Sequence, residues 1–161
     1  MFDASKFTAT TFAGAMSTEY DVIPEGDYTL MVGPYDEKTW FRAQTFKNDD
    51  GTDREAVAFE IPMEIIDDTV RATMGRTLVL SRYKGFIDLD ANGDIDFSKG
   101  RNIKIGRLRE VLGQNDPTQP WGFPMLAGRG PFKGHNRVTP DKKNPERKYA
   151  EISRITTMSG S

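Results

Sequence analysis

No cysteine occurs in the chain, and His135 is its only histidine. Disulfides, thiolate nucleophiles, iron–sulfur clusters and cysteine-type zinc sites are therefore excluded. The lack of cysteine fits a reducing compartment. One imidazole alone makes neither a Cys–His pair nor a zinc site. There is no G-x-S-x-G elbow, no G-x-x-x-x-G-K-[ST] phosphate loop and no G-x-G-x-x-G turn. The paired acids Asp49/Asp50 and Asp67/Asp68 fall in expected turns, where adjacent carboxylates are solvated. The chain thus reads as a non-enzyme that needs no cofactor. No apolar run approaches the ~20 residues that span a bilayer. The opening MFDASKFTATTF lacks the basic-then-apolar order of a secretory signal. The expected compartment is a cytoplasm, with no membrane partner.

What is present is charge, unevenly placed. Residues 1–70 hold 5 Lys/Arg against 15 Asp/Glu, while residues 71–161 hold 17 against 9. The chain is nearly neutral, at −2, yet its second part is basic and carries rings. Such a part offers a surface to a polyanion. With 161 residues, 37 % hydrophobic, the chain has the length of one domain with a real core.

Residues 1–20, rich in Thr, Ser, Ala and Gly, read as a flexible arm with a turn near Asp3. Residues 21–156 form the domain, and 157–161 a disordered tail. After the turn at Pro24–Gly26, Tyr28, Leu30 and Val32 alternate with Asp27, Thr29 and Met31, the period of a half-buried strand. Gly33-Pro34 ends it. Residues 35–55 read as a long connection with an acidic tip, KNDDGTDRE. In VAFEIPMEII, Val57, Phe59, Ile61, Met63 and Ile65 share one face, opposite Glu60 and Glu64. Pro62 cannot donate to a ladder, so the strand is expected to be bulged or at an edge there. GRTLVLSRYKGF reads as a third strand with Leu78 and Leu80 inward. A helix follows, with Asn102 as N-cap, Ile105, Leu108, Val111 and Leu112 on one face, and Gly113 at its end. Residues 128–140 and 148–156 read as two last strands joined by a basic loop.

The expected fold is mainly β. Three strands, a helix and two strands follow the order of an OB-fold-like five-stranded barrel, with one helix between strands three and four.

Two constellations remain. DLDANGDID places Asp88, Asp90, Asn92 and Asp94 like the start of a calcium loop with Gly93 at the sixth position. The twelfth position is Lys99, not a bidentate Glu. The pattern reads first as a hairpin turned by Asn92-Gly93, with a calcium site at those four residues as the minor alternative. The second constellation is rings beside cations. Single-stranded nucleic acid binds where rings stack on bases and cations hold phosphates. The candidates are Trp40, Phe41 and Arg42 in the first connection; Arg82, Tyr83, Lys84 and Phe86 on strand three; Lys104 and Arg107 on the helix; and Lys133, Arg137, Lys142, Lys143, Lys148 and Tyr149 in the final hairpin. Trp121, Phe123 and Phe59 are assigned to the core. His135 is expected to be partly buried or to face the nucleic acid.

GRLREVLGQNDP, flanked by GRTLVLSRYKGF and by GRGPFKGHNRVTPDKKNPERKYAEISRI, with IPEGDYTLMV near the start, resembles a family of small bacteriophage-encoded single-stranded DNA-binding proteins. The likeness covers roughly residues 20–156. It implies an OB-fold, a place in DNA replication or recombination, and a DNA groove that includes Arg82, Lys84, Lys133 and Arg137. It also implies a host-cell cytoplasm. Many single-strand binders recruit replication enzymes through an acidic tail, but this chain ends TTMSGS without an acid. The reading is a sequence-tolerant single-stranded DNA-binding protein that protects DNA intermediates. Replication proteins and further copies of itself are the protein partners it allows. The alternative is a virion-assembly β-domain whose arm docks on neighbouring subunits.

Overall fold

The computed structural model describes residues 3–9, 11, 13–15 and 22–160. The expected arm therefore lies partly outside the described residues. Within it, α1 (Ser5–Thr8) follows Asp3, whose Oδ1 accepts hydrogen bonds from the Ser5 N–H and hydroxyl. Of the expected tail, Ser161 lies outside the described residues.

The domain is one antiparallel sheet of six strands with a few short helices. The strands are β1 (Gly26–Val32), β2 (Phe41–Lys47), β3 (Asp53–Ile65), β4 (Leu80–Ile87), β5 (Phe132–Pro140) and β6 (Lys148–Thr156). They run in the order β2-β3-β1-β5-β6, and β4 pairs with the other edge of β3. The helices are α2 (Glu37–Trp40), α3 (Asp68–Met74) and α4 (Ile103–Val111). No helix among the described residues is long and apolar enough to cross a membrane.

β3 organises the sheet. Its 13 residues pair with β2 at one end and β1 at the other on one edge, and with β4 along the second edge. Pro62 sits where the partner changes from β2 to β1. Its carbonyl accepts the Gly33 N–H at 2.8 Å, so its nitrogen faces the same gap, where no donor is needed. The expectation of a bulge or a sheet edge at Pro62 is corrected: β3 is an interior strand in unbroken register with β4, and the proline is accommodated at the junction of the β2 and β1 ladders. Phe59, Ile61, Met63 and Ile65 are buried as their alternation implied.

Three further expectations are corrected. The connection at 35–55 contains α2 and a strand, β2, so there are six strands rather than five. β4 and β6 come close, but no ladder joins them, so the sheet is not closed by hydrogen bonds. Third, β4 has the opposite phase from that expected. Val79, Ser81 and Tyr83 are buried, whereas Leu78 and Leu80 are exposed. The run Leu-Val-Leu has no alternation of its own, and Tyr83, pairing with Ile61, sets the inward face.

The core joins both ends of the sheet. Buried Ser81 of β4 donates to the Asn136 side chain of β5 at 2.7 Å, and Asn136 donates in turn to the carbonyls of Ile23 and Pro24. A buried amide stripped of these partners would cost a few kcal/mol, so the network fixes the chain entering β1. α4 buries Ile105 and Leu108 against the sheet. Its N-cap differs from the expectation. Asn102 has φ 51° and makes no side-chain cap bond to the helix. Its amide instead exchanges hydrogen bonds with Asp88 and donates to the Asp96 carbonyl, closing the segment between β4 and α4. That segment is a tight hairpin at Asn92-Gly93, with Gly93 at φ 81°. The Asp90 carboxylate accepts the N–H groups of Asn92 and Asp94. Among the described residues no three acidic or histidine side chains gather to hold a metal ion; at Asp88, Asp90, Asn92 and Asp94 the carboxylates of Asp88 and Asp90 accept backbone N–H groups. Asp67, expected to be merely solvated, caps α3 by accepting the Val70 N–H at 2.9 Å.

Candidate functional site

In a strand, successive side chains point to opposite faces. This rule sorts the predicted ring–cation clusters. Tyr83 lies inward, 2 % exposed, and its hydroxyl donates to the Lys104 carbonyl at 2.9 Å. Burial pushes its phenol up to about 12. Arg82 and Lys84, on either side of it, lie outward. Trp40 ends α2 with its ring 1 % exposed and its indole N–H donating to the Pro34 carbonyl at 3.0 Å. Neither Trp40 nor Tyr83 offers a ring face to a base, which corrects the expectation for both. Phe41 points inward and meets Phe123 edge-on at 4.8 Å, so it too is a packing residue. Phe59 is core as assigned; Trp121 and Phe123 are half-buried against it.

The outward face of β2, β3 and β4 is different. The register sets Arg42 beside Ala58 and Phe86, Phe46 beside Arg54, Glu60 beside Lys84, and Pro62 beside Arg82. Ala56 and Ala58 leave room above the sheet, and two phenylalanines fill it. Phe46 and Phe86 meet edge-on at 5.5 Å, with Phe86 51 % exposed. The Arg54 guanidinium lies 5.2 Å from the Phe46 ring centre. The face thus carries an aromatic pair, with Arg54 against one ring and Arg42, Lys84 and Arg82 further along it. Sequence reasoning missed Phe46 and Arg54. Parity could have found them, since Arg42, Gln44 and Phe46 share a face, as do Arg82, Lys84 and Phe86.

Two carboxylates lie on this side of β3, Glu64 beside Leu80 and Glu60 among the cations. Glu60 accepts a hydrogen bond from Arg82 at 2.7 Å and pairs with Lys84 at 3.6 Å. Partial burial pushes its carboxyl up. The Arg82 hydrogen bond and the charges of Lys84, Arg82 and Arg42 outweigh this and hold it below the usual range.

Lys104 stands where β4 approaches β6. Its ammonium donates to the Lys84 carbonyl and lies 4.8 Å from the Tyr83 ring centre. It satisfies an edge carbonyl that no strand pairs. Burial pushes its ammonium down, against the upward pull of Glu151; Arg137 adds to the lowering. Lys104 and Arg107, expected to contact DNA, have intramolecular partners on α4 and β4, Arg107 with Glu110 at 2.9 Å. Arg137 is paired with Glu151. Lys142, Lys143, Lys148 and Tyr149 are exposed around the β5–β6 loop, where the Tyr149 hydroxyl donates to Asp141. That bond raises the Tyr149 phenol. Lys133 lies on the outward face of β5, away from the phenylalanine pair. The predicted set therefore does not form one cluster; Arg42, Arg82, Lys84 and Phe86 share one face, Trp40, Phe41 and Tyr83 pack inward, and the rest spread over α4, β5, β6 and the loop between the last two.

No family model, no curated protein and no solved structure matches the chain.

Proposed function

We propose that the chain is a non-enzymatic, sequence-tolerant single-stranded nucleic-acid-binding module, with the strand crossing the outward face of β2, β3 and β4. The observation that carries this reading is the Phe46–Phe86 pair among Arg42, Arg54, Arg82 and Lys84. Every base has a π-face, so a ring platform takes bases without reading sequence, while guanidinium and ammonium groups take phosphates. The reading of the fold as OB-like rests on connectivity. β1, β3, β4, β5 and β6 supply five strands, α4 falls between the third and fourth of them, and β2 extends the first connection. In that fold the second and third strands and the loops beside them bind oligonucleotides, and here those strands are β3 and β4. A role in protecting replication or recombination intermediates is the part of the reading that DNA, rather than RNA, as ligand would support.

Phe86→Ala tests it. Stacking contributes about 1–3 kcal/mol per base, or roughly fivefold or more in affinity. A half-exposed ring adds little to the core, so the melting temperature is expected to stay nearly constant. Unchanged affinity for an oligo-dT strand would overturn the assignment of this face.

A further inference from the structure

A second cationic surface lies on strands that the phenylalanine face does not use. The outward sides of β1, β5 and β6 form a groove of about 440 Å³. Two rows cross it in register: Asp27, His135 and Arg154, then Thr29, Lys133 and Thr156. Regular alternation would not place Arg154 there. It lies two residues beyond Ile152, which is buried, so an unbroken strand would turn it inward. A bulge between His135 and Asn136 shifts the pairing by one residue, and Arg154 turns outward opposite His135. Bulges re-aim side chains in this way and are enriched beside functional sites.

The charges in the groove are unevenly matched. The Asp27 carboxylate is engaged by His135 Nδ1 at 2.8 Å. Lys133 and Arg154 have no ion-pair partner among the described residues. By contrast, Arg82, Lys84, Arg107 and Arg137 each pair with a carboxylate. The hydroxyls of Thr29 and Thr156 flank Lys133 as neutral donors. Two unneutralised cations with hydroxyl donors in a concave surface match the oxygens of a phosphate group. Gly134 lines the groove with backbone alone; a Cβ there would point into the core, 2.5 Å from Leu30 Cδ1.

We infer that this groove is a phosphate-binding site, with Lys133 and Arg154 as its charged ligands. It does not depend on the nucleic-acid reading, since a free phosphate and a backbone phosphate present the same oxygens.

The test is an amide-resolved NMR titration of the full chain with inorganic phosphate, dTMP and oligo-dT in turn. The expected result is saturable shifts at Thr29, Lys133, Gly134, His135 and Arg154. Lys133→Gln and Arg154→Gln are each expected to weaken binding about tenfold, the effect of losing one charge-assisted hydrogen bond. Both side chains are exposed, so their loss leaves the core intact, and an unchanged spectrum elsewhere checks this. Tighter binding of oligo-dT at the same amides identifies a backbone phosphate as the ligand. Shifts with inorganic phosphate or dTMP but none with oligo-dT identify a free phosphate or nucleotide. Absence of saturable shifts with all three, or shifts indifferent to both substitutions, overturns the inference. Shifts at Phe46 and Phe86 report on the other face separately.

Discussion

Glu60 is the carboxylate that pairs with the cations of the phenylalanine face, and Glu60→Gln measures what it does there. The amide keeps the size and can still accept from Arg82. An ion pair this exposed is worth roughly 0.2–1 kcal/mol, and Arg82, with its side chain 60 % exposed, must give up part of it to hold a phosphate. A carboxylate about 7 Å from a bound phosphate adds about 0.6 kcal/mol of repulsion in water, before screening by salt. Together these oppose binding by about 1–1.5 kcal/mol, so Glu60→Gln is expected to bind oligo-dT about five- to tenfold more tightly. Fluorescence anisotropy at low, fixed salt reads this directly. The pH dependence carries a sign as well. The folded carboxyl lies below its usual range, so the ion pairs stabilise the fold at neutral pH and fade as pH falls through that lowered value. Over that acid interval the wild-type affinity is expected to rise, as Glu60 is neutralised, and the Glu60→Gln variant should lack this component. Weaker binding by the variant, with an unchanged melting temperature, would refute the reasoning. It would mean that Glu60 holds Arg82 and Lys84 in place rather than competing for them.

Trp40→Ala is expected to cost about 3–5 kcal/mol of stability, since it empties a buried site and removes a hydrogen bond to Pro34. Calorimetry checks the stability, and anisotropy on the folded protein is expected to find the affinity intact. Gly85→Ala puts a Cβ 2.7 Å from the buried Phe59 ring; overpacking of this kind costs about 1–3 kcal/mol, read as a lowered melting temperature.

The legible parts of the fold were those where burial imposes a period. β1 and the second half of β3 have one face in the core, and their alternation shows it. Ile105 and Leu108 mark the buried side of α4 in the same way. β2 carries no such mark, because Phe41 packs inward while Phe46 serves the outward face, so its apolar residues fall on both sides. In β4 three consecutive apolar residues hid the phase. The site was misread for a related reason. Cations next to a ring in the sequence of a strand point away from it in space. Arg82 and Lys84 were therefore evidence that Tyr83 faces inward, while Phe86, two residues beyond Lys84, shares their face. The β2–β3 hairpin has a local mark in Asp50-Gly51, but the pairing of β3 with β4, which brings Phe86 to Phe46, has none.

The measurement closest to the central claim is the affinity for an oligo-dT strand at several salt concentrations. Each phosphate neutralised on a single strand contributes about −0.7 to the slope of log affinity against log salt. If Arg42, Arg54, Arg82 and Lys84 each take one, the slope is about −3. Binding that is absent, or that ignores salt, would contradict the account.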